Sequence, residues 1–203
     1  MKFSVSLALI LSTCLGGSSV FAQVRTILVL GDSLSAAYQM AEEDGWVYLA
    51  QEELTGRAQF INASVSGETT AGARASLPAL LARYDPDVVI LEIGANDGFR
   101  GHPPLAIQQN LVAMIEMSTQ SGAQVVLIEM DIPANYGAYR TAFRETYSTV
   151  AETHSVSLVP SMFQDIFEKP SLLQSDGIHP NENAQPIIRD RILSVLQELL
   201  ALN

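Results

Sequence analysis

Five short runs of aliphatic and β-branched residues punctuate the chain, and between them lie stretches with apolar residues at helical spacing. This alternation constrains the fold more than any other feature of the sequence. The runs fall at 26–30, 60–63, 88–93, 125–130 and 157–159. Thr26-Ile27-Leu28-Val29-Leu30 and Val88-Val89-Ile90-Leu91-Glu92-Ile93 are nearly continuous in apolar side chains rather than alternating, as strands covered on both faces are. Helices are expected at 46–54, 71–83, 105–119 and 138–154, and at the C-terminus, where Ile188, Ile192, Val195, Leu196 and Leu199 share a stripe. Pro78 falls inside the second helix and should bend it or start a new one. Strands alternating with helices predict an α/β fold, a parallel sheet with helices on both faces.

Length and charge narrow the choice further. A chain of 203 residues suits one domain. Its net charge of -11 repels phosphate backbones, so nucleic acid is excluded as a natural partner, and no basic patch is available to dock on anionic lipid. The first 22 residues have the order of an export signal: Lys2, an apolar run over 5–11, small flexible residues, and Val20-Phe21-Ala22 before the cut. The run is too short to span a bilayer, which takes about 20 residues. The alternatives are a buried first element and, because Leu11-Ser12-Thr13-Cys14 partly matches a lipoprotein signal, a lipid anchor; Thr13 is bulky for the latter. Cleavage after Ala22 leaves a domain over 23–203 that lacks Cys14, the one cysteine, and so has no thiol, disulfide or cysteine-ligated metal.

In open parallel sheets, sites form beyond the carboxyl ends of the strands. Four polar, glycine-marked loops occupy or approach such places: Gly31-Asp32-Ser33-Leu34-Ser35, Asn62-Ala63-Ser64-Val65-Ser66-Gly67, Gly94-Ala95-Asn96-Asp97-Gly98, and Asp176-Gly177-Ile178-His179-Pro180-Asn181 ahead of the last helix. Ser33 is the candidate nucleophile and needs a base within hydrogen-bond reach. Of three histidines, His102 lies in a proline-flanked loop and His154 ends a helix, where a cation suits the dipole. His179 has Asp176 three positions before it, a spacing that lets a carboxylate hold Nδ1–H while Nε2 faces outward. Against this stands the plain reading of Asp176 as a helix cap beside an idle histidine. The backbone N–H of Ser33, the backbone at Gly67 and the amide of Asn96 are candidate donors to an oxyanion; singly, Gly67 and Asn96 are ordinary turn residues. No G-x-S-x-G elbow, H-E-x-x-H helix, phosphate-binding loop or dinucleotide fingerprint is present.

With the stretch Pro133-Ala134-Asn135-Tyr136-Gly137, these loops resemble the SGNH (GDSL) hydrolases across nearly the whole chain after the leader. The resemblance implies a flavodoxin-like three-layer α/β/α sandwich with a central parallel sheet. It implies a serine nucleophile at Ser33, a base at His179 oriented by Asp176, and an oxyanion hole from Ser33, Gly67 and Asn96. It also implies hydrolysis of carboxylic esters, acyl thioesters or lysophospholipids, with no cofactor and no metal. The expected partner is a small-molecule acyl ester or thioester, the expected state a monomer without a stable membrane anchor, and the expected location periplasmic or secreted. Phe99, Pro133 and Ile178 are expected to line the acyl pocket, with the segment around Phe99 either a mobile wall or an ordinary surface loop. Ala37 stands where this family is expected to have glycine, with consequences for packing near the pocket. Two other readings remain: a carbohydrate O-deacetylase of the same architecture, and a non-catalytic flavodoxin-like binding module.

Overall fold

The computed structural model describes residues 24–162 and 165–201. The proposed leader, its cleavage point and Cys14 lie outside the described residues. Five parallel strands, β1 (Arg25–Gly31), β2 (Ala58–Asn62), β3 (Val88–Glu92), β4 (Gln124–Ile128) and β5 (Ser157–Val159), form one sheet in the order β2-β1-β3-β4-β5. Helices α1 (Trp46–Glu53) and α6 (Gln185–Ala201) pack together, as do α2 (Thr70–Tyr84), α4 (Pro104–Gln120) and α5 (Ala138–His154). The sheet is thus covered on both faces, which gives the three-layer sandwich that the alternation predicts.

Double coverage explains the strand sequences. Every residue of β3 is buried, and so are Ile27 to Gly31 of β1, so no polar alternation is needed. Glu92 is the exception in composition but not in burial. The helices contribute one apolar face each: Leu77 and Leu81 from α2, Ile107, Leu111 and Met114 from α4, and Phe143, Tyr147 and Val150 from α5. Fully burying one such side chain contributes roughly 1.5–3 kcal/mol, so the shared core is the main driving term.

Pro78 neither breaks nor restarts its helix; α2 runs continuously through it. It lies on the solvent-facing side, where the carbonyl one turn back that loses its N–H partner can turn toward water. The helix begins where the Thr69 hydroxyl accepts the Gly72 N–H, and ends at Asp85 in a left-handed conformation with its N–H on Leu81. One α-helix has no counterpart in the sequence pattern, the single-turn α3 (Ala95–Phe99) directly after β3.

Strand order reverses between β1 and β3: the chain leaves β1 toward β2, then crosses back to place β3 on the other side of β1. That crevice is the switch point, where sheets of this kind hold their ligands. Ser33 lies just beyond β1 and Asn96 just beyond β3, so both stand at its rim.

Candidate active site

The turn after β1 is built to hold Ser33 out at the sheet edge. Gly31 pairs with Glu92 across the β1–β3 ladder, and a Cβ at Gly31 would stand 2.6 Å from Glu92 Oε2. A side chain at Gly31 would have to push that carboxyl and the Ser35 hydroxyl, 2.9 Å away, out of place. Glu92 Oε2 accepts the Asp32 N–H at 3.3 Å and the Ser35 hydroxyl at 2.7 Å, and the Ser35 oxygen accepts the Trp46 indole N–H at 3.2 Å. Asp32 Oδ1 accepts the Leu34 N–H, and Oδ2 accepts the Asn96 side-chain amide, each at 3.1 Å. The two residues flanking Ser33 are thus fastened from below, and Asn96 is fastened to the same turn.

His179 arrives on a separate scaffold. Residues 172–181 fold back on themselves: Gln174 N–H donates to His179 O at 2.7 Å, and Asn181 N–H to Leu172 O at 2.9 Å. Within this loop Asp176 Oδ1 accepts the backbone N–H groups of Ile178 and His179, at 2.9 and 3.0 Å. Its other oxygen, Oδ2, lies 2.6 Å from His179 Nδ1. His179 Nε2 lies 3.0 Å from Ser33 Oγ, across 146 positions of sequence. With Nδ1 protonated, the imidazole donates to Asp176 and accepts the Ser33 hydroxyl proton, so the three side chains form one unbroken line. The helix-cap reading of Asp176 is superseded: its acceptors serve its own loop and the imidazole, and α6 starts only at Gln185.

The donors converge with the relay. Neither the Ser33 nor the Gly67 backbone N–H has an acceptor among the described residues, which leaves both free for a substrate oxygen. Gly67 has φ +82°, the left-handed region where glycine is unstrained. Its loop is tied to the nucleophile turn by Val65 N–H on Gly31 O and by the Asn62 amide on Ser35 O. Asp97, buried, accepts the Thr70 N–H and hydroxyl, each at 2.8 Å, and so locks the Gly67 loop to the Asn96 helix. Its Oδ1 also contacts His102 Nδ1 at 3.2 Å. His102 is therefore part of this brace, and His154 is the last residue of α5; neither approaches Ser33 as His179 does.

Burial and hydrogen bonding separate the carboxyls electrically. Burial pushes Asp32 up to about 6 against the bonds from Leu34 and Asn96 and the pull of His179. Burial and the neighbouring Asp32 raise Glu92 well above the ordinary range. Partial burial works upward on Asp176 too, but the His179 and Ile178 N–H groups and the imidazole outweigh it and hold it at about 2. Asp176 is thus ionised at any working pH, as orienting the base requires.

A cavity of about 230 Å³ opens beside Ser33, lined on its apolar side by Leu34, Ala95, Phe99, Phe167 and Ile178, with Asp131 at its edge. Of the three residues expected to line an acyl pocket, the structure brings Phe99 and Ile178 to this cavity. Pro133 does not line it: it is exposed, whereas Asp131 and Ile132 just before it are buried. Asp131 stays at the cavity because Arg140 grips both its oxygens, at 2.7 and 2.6 Å. Its position just beyond β4, equivalent to that of Ser33 beyond β1 and Asn96 beyond β3, is the signal that marks it in the sequence. Phe167 carries no sequence signal; it comes from an irregular stretch after β5. The Phe99 segment is tethered to the α5 side by Tyr136 hydroxyl on Phe99 O and Tyr139 hydroxyl on His102 O.

A parallel sandwich whose switch point gathers a serine, an imidazole and free backbone donors beside an apolar cavity defines a class, a serine hydrolase acting on ester bonds. Comparison with known proteins gives the same class. Residues 29–185 match the GDSL-like Lipase/Acylhydrolase family, and the chain belongs to that family. It is 42% identical over 198 residues to an arylesterase of Vibrio mimicus, covering 96% of each protein. It is 39% identical over 180 residues to the thioesterase 1/protease 1/lysophospholipase L1 of Escherichia coli strain K12, covering 88% of this chain and 86% of that one. Among solved structures it resembles the psychrotrophic esterase EstA of Pseudoalteromonas sp., crystallised inhibited by monoethylphosphonate: TM-score 0.83, 42% identity, 87% of this chain and 99% of that one.

Proposed function

We propose that the chain is an exported esterase and acyl thioesterase in which Ser33 is the nucleophile, His179 the general base and Asp176 the residue that orients it. The observation that carries this reading is the 3.0 Å approach of His179 Nε2 to Ser33 Oγ, with Asp176 Oδ2 on the opposite nitrogen. His179 takes the Ser33 proton as Oγ attacks the acyl carbonyl. Negative charge develops on the carbonyl oxygen and is received by the Ser33 N–H, the Gly67 N–H and the Asn96 amide. The imidazolium then protonates the leaving alcohol or thiol. Water, deprotonated by the same imidazole, attacks the acyl-serine and releases the acid.

The cavity supports an apolar acyl group over a bare acetyl. Its wall of Leu34, Phe99, Phe167 and Ile178 offers several apolar contacts and few polar ones. Among relatives, the names arylesterase and thioesterase 1/protease 1/lysophospholipase L1 support aryl esters and acyl thioesters as substrates. The N-terminal pattern supports a cleaved leader over 1–22, a working domain over 23–203 and a periplasmic or secreted location. Among the described residues no helix is long and apolar enough to cross a membrane.

The test is turnover by the purified protein on nitrophenyl acetate, nitrophenyl decanoate, a decanoyl thioester and an acetylated polysaccharide. Faster turnover of the decanoyl esters supports the reading. Deacetylation of the polysaccharide with neglect of the decanoyl substrates overturns it in favour of a carbohydrate deacetylase. Phe99→Ala shifts chain-length preference if the cavity holds the acyl group.

A further inference from the structure

The segment just past the nucleophile turn is strained in a way the relay itself does not require. Ala37 has φ +52° and Gln39 has φ +55°, so the two non-glycine neighbours of one residue both sit in the left-handed region. Such a conformation is unfavourable for a residue with a Cβ, and strain of this kind persists where surrounding contacts hold it. The residue between them is Tyr38. Its ring centroid lies 4.6 Å from that of His179, tilted by 40°.

Further contacts hold the ring there. Gln174 Nε2 donates to Tyr38 O at 2.9 Å and to Pro180 O at 3.1 Å, which staples the Tyr38 segment to the His179 loop. Tyr38 N–H reaches Ser33 O at 3.3 Å, and Met40 N–H closes the turn on Ala37 O at 3.0 Å. Among the described residues the tyrosine hydroxyl accepts only the neighbouring Gln39 amide, and the residue is 36% exposed. The ring, rather than the hydroxyl, is what this arrangement places against the imidazole.

We infer that Tyr38 is a positioning residue, its π-face laid against His179 to fix the imidazole's rotation and to stabilise the imidazolium that forms when Ser33 gives up its proton. The inference rests on the relay proposed above. In the step concerned, the Ser33 Oγ–H bond breaks, the proton passes to His179 Nε2, and Oγ forms its bond to the acyl carbon; the imidazole becomes a cation beside the ring. A cation within about 6 Å of an aromatic centroid is attracted by the ring quadrupole. Other charged groups lie around the same imidazole: Asp176 on its own loop, Asp32 under the Ser33 turn, and Asp131 across the cavity, whose charge is paired with Arg140. Tyr38 therefore adds to a field that is already anionic, and its share is modest. Asp176 meets the imidazole at its Nδ1 edge, whereas Tyr38 packs against the ring itself.

The experiment compares Tyr38→Leu, Tyr38→Phe and Tyr38→Trp with the parent enzyme on nitrophenyl acetate, a substrate too short to sense changes deep in the acyl cavity. Tyr38→Leu is expected to lower kcat about 2- to 5-fold with KM nearly unchanged, and to move the acidic limb of the kcat/KM profile to lower pH. Tyr38→Phe and Tyr38→Trp should restore most of the loss, since each keeps a π-face. A Leu variant with parental kcat and pH profile, a loss confined to KM, or a Phe variant as slow as Leu each overturns the inference. Ser33→Ala run alongside keeps the two readings apart: if it stays active, the relay itself is wrong, whereas an inactive Ser33→Ala beside an unaffected Tyr38→Leu rejects only the role of Tyr38.

Discussion

Replacing the buried Glu92 carboxyl by an amide, and separately truncating the side chain to a methyl group, tests what holds the nucleophile turn in place. Glu92 is wholly inaccessible to solvent, and its Oε2 receives the Asp32 N–H and the Ser35 hydroxyl. Oε1 has no partner among the described residues. Burial and the neighbouring Asp32 push its pKa well above the usual carboxylate range, which favours the neutral form. Glu92→Gln keeps the shape and the accepting oxygen, so stability should change by less than about 1 kcal/mol. Glu92→Ala strands two buried donors, at about 1–3 kcal/mol each, and opens a cavity worth on the order of 1 kcal/mol more. A loss of about 3–7 kcal/mol is expected, much of the roughly 5–15 kcal/mol that a domain has in total. Trp46 is the chain's one tryptophan and its indole donates into this network, so its fluorescence during urea unfolding reports both stability and the local environment. Esterase turnover by Glu92→Gln should stay near that of the parent. If Gln proves as damaging as Ala, the group must be ionised and the neutral-carboxyl argument fails; if Ala is harmless, the network does not hold the turn.

Three further outcomes come from the same geometry. Asp32 holds its proton more tightly folded, at about 6, than unfolded, near 4, so its contribution to stability is complete below about pH 4 and falls by about 3 kcal/mol as pH rises through 6. Asp176 acts oppositely, its contribution present above about pH 4 and lost as pH falls toward 2. The Tm should therefore be highest near pH 4–5 and decline toward neutrality, and Asp32→Asn should flatten that decline; a Tm that rises from about pH 4.5 to 7 contradicts this. Asp176→Asn preserves the acceptor for the two backbone N–H groups but not the charge facing Nδ1, so kcat should drop about 1,000- to 10,000-fold in a folded protein, measured by steady-state kinetics with circular dichroism as the control. Ala37→Gly relieves a left-handed alanine and should stabilise the chain by about 0.5–1 kcal/mol in urea, whereas Ala37→Val should destabilise it.

The fold is legible in the sequence because its central strands β1, β3 and β4 are buried almost throughout and therefore stand out as apolar runs. The site is legible because a parallel sheet sends its loops to a common edge, so that the residues directly beyond β1 and β3, together with the Asp176–His179 turn, isolate a serine, an amide and an imidazole. The features that stay hidden depend on packing. Glu92 reads as the polar end of an apolar run, and nothing local announces that it lies under Asp32. Pro133 belongs to a loop that reaches the cavity through Asp131 instead, which Arg140 at the start of α5 holds. Phe167 and Tyr38 reach the site from irregular segments without periodicity. Pro78 suggests a break that its exposed position makes unnecessary.

The most direct measurement locates the acyl-accepting atom. The purified protein, treated with a fluorophosphonate that mimics the tetrahedral intermediate, is digested and read by mass spectrometry, in parent and Ser33→Ala forms. One adduct per chain on the peptide containing Ser33, lost together with esterase turnover in Ser33→Ala, is the predicted result. An adduct at another residue, or undiminished turnover in Ser33→Ala, contradicts the account.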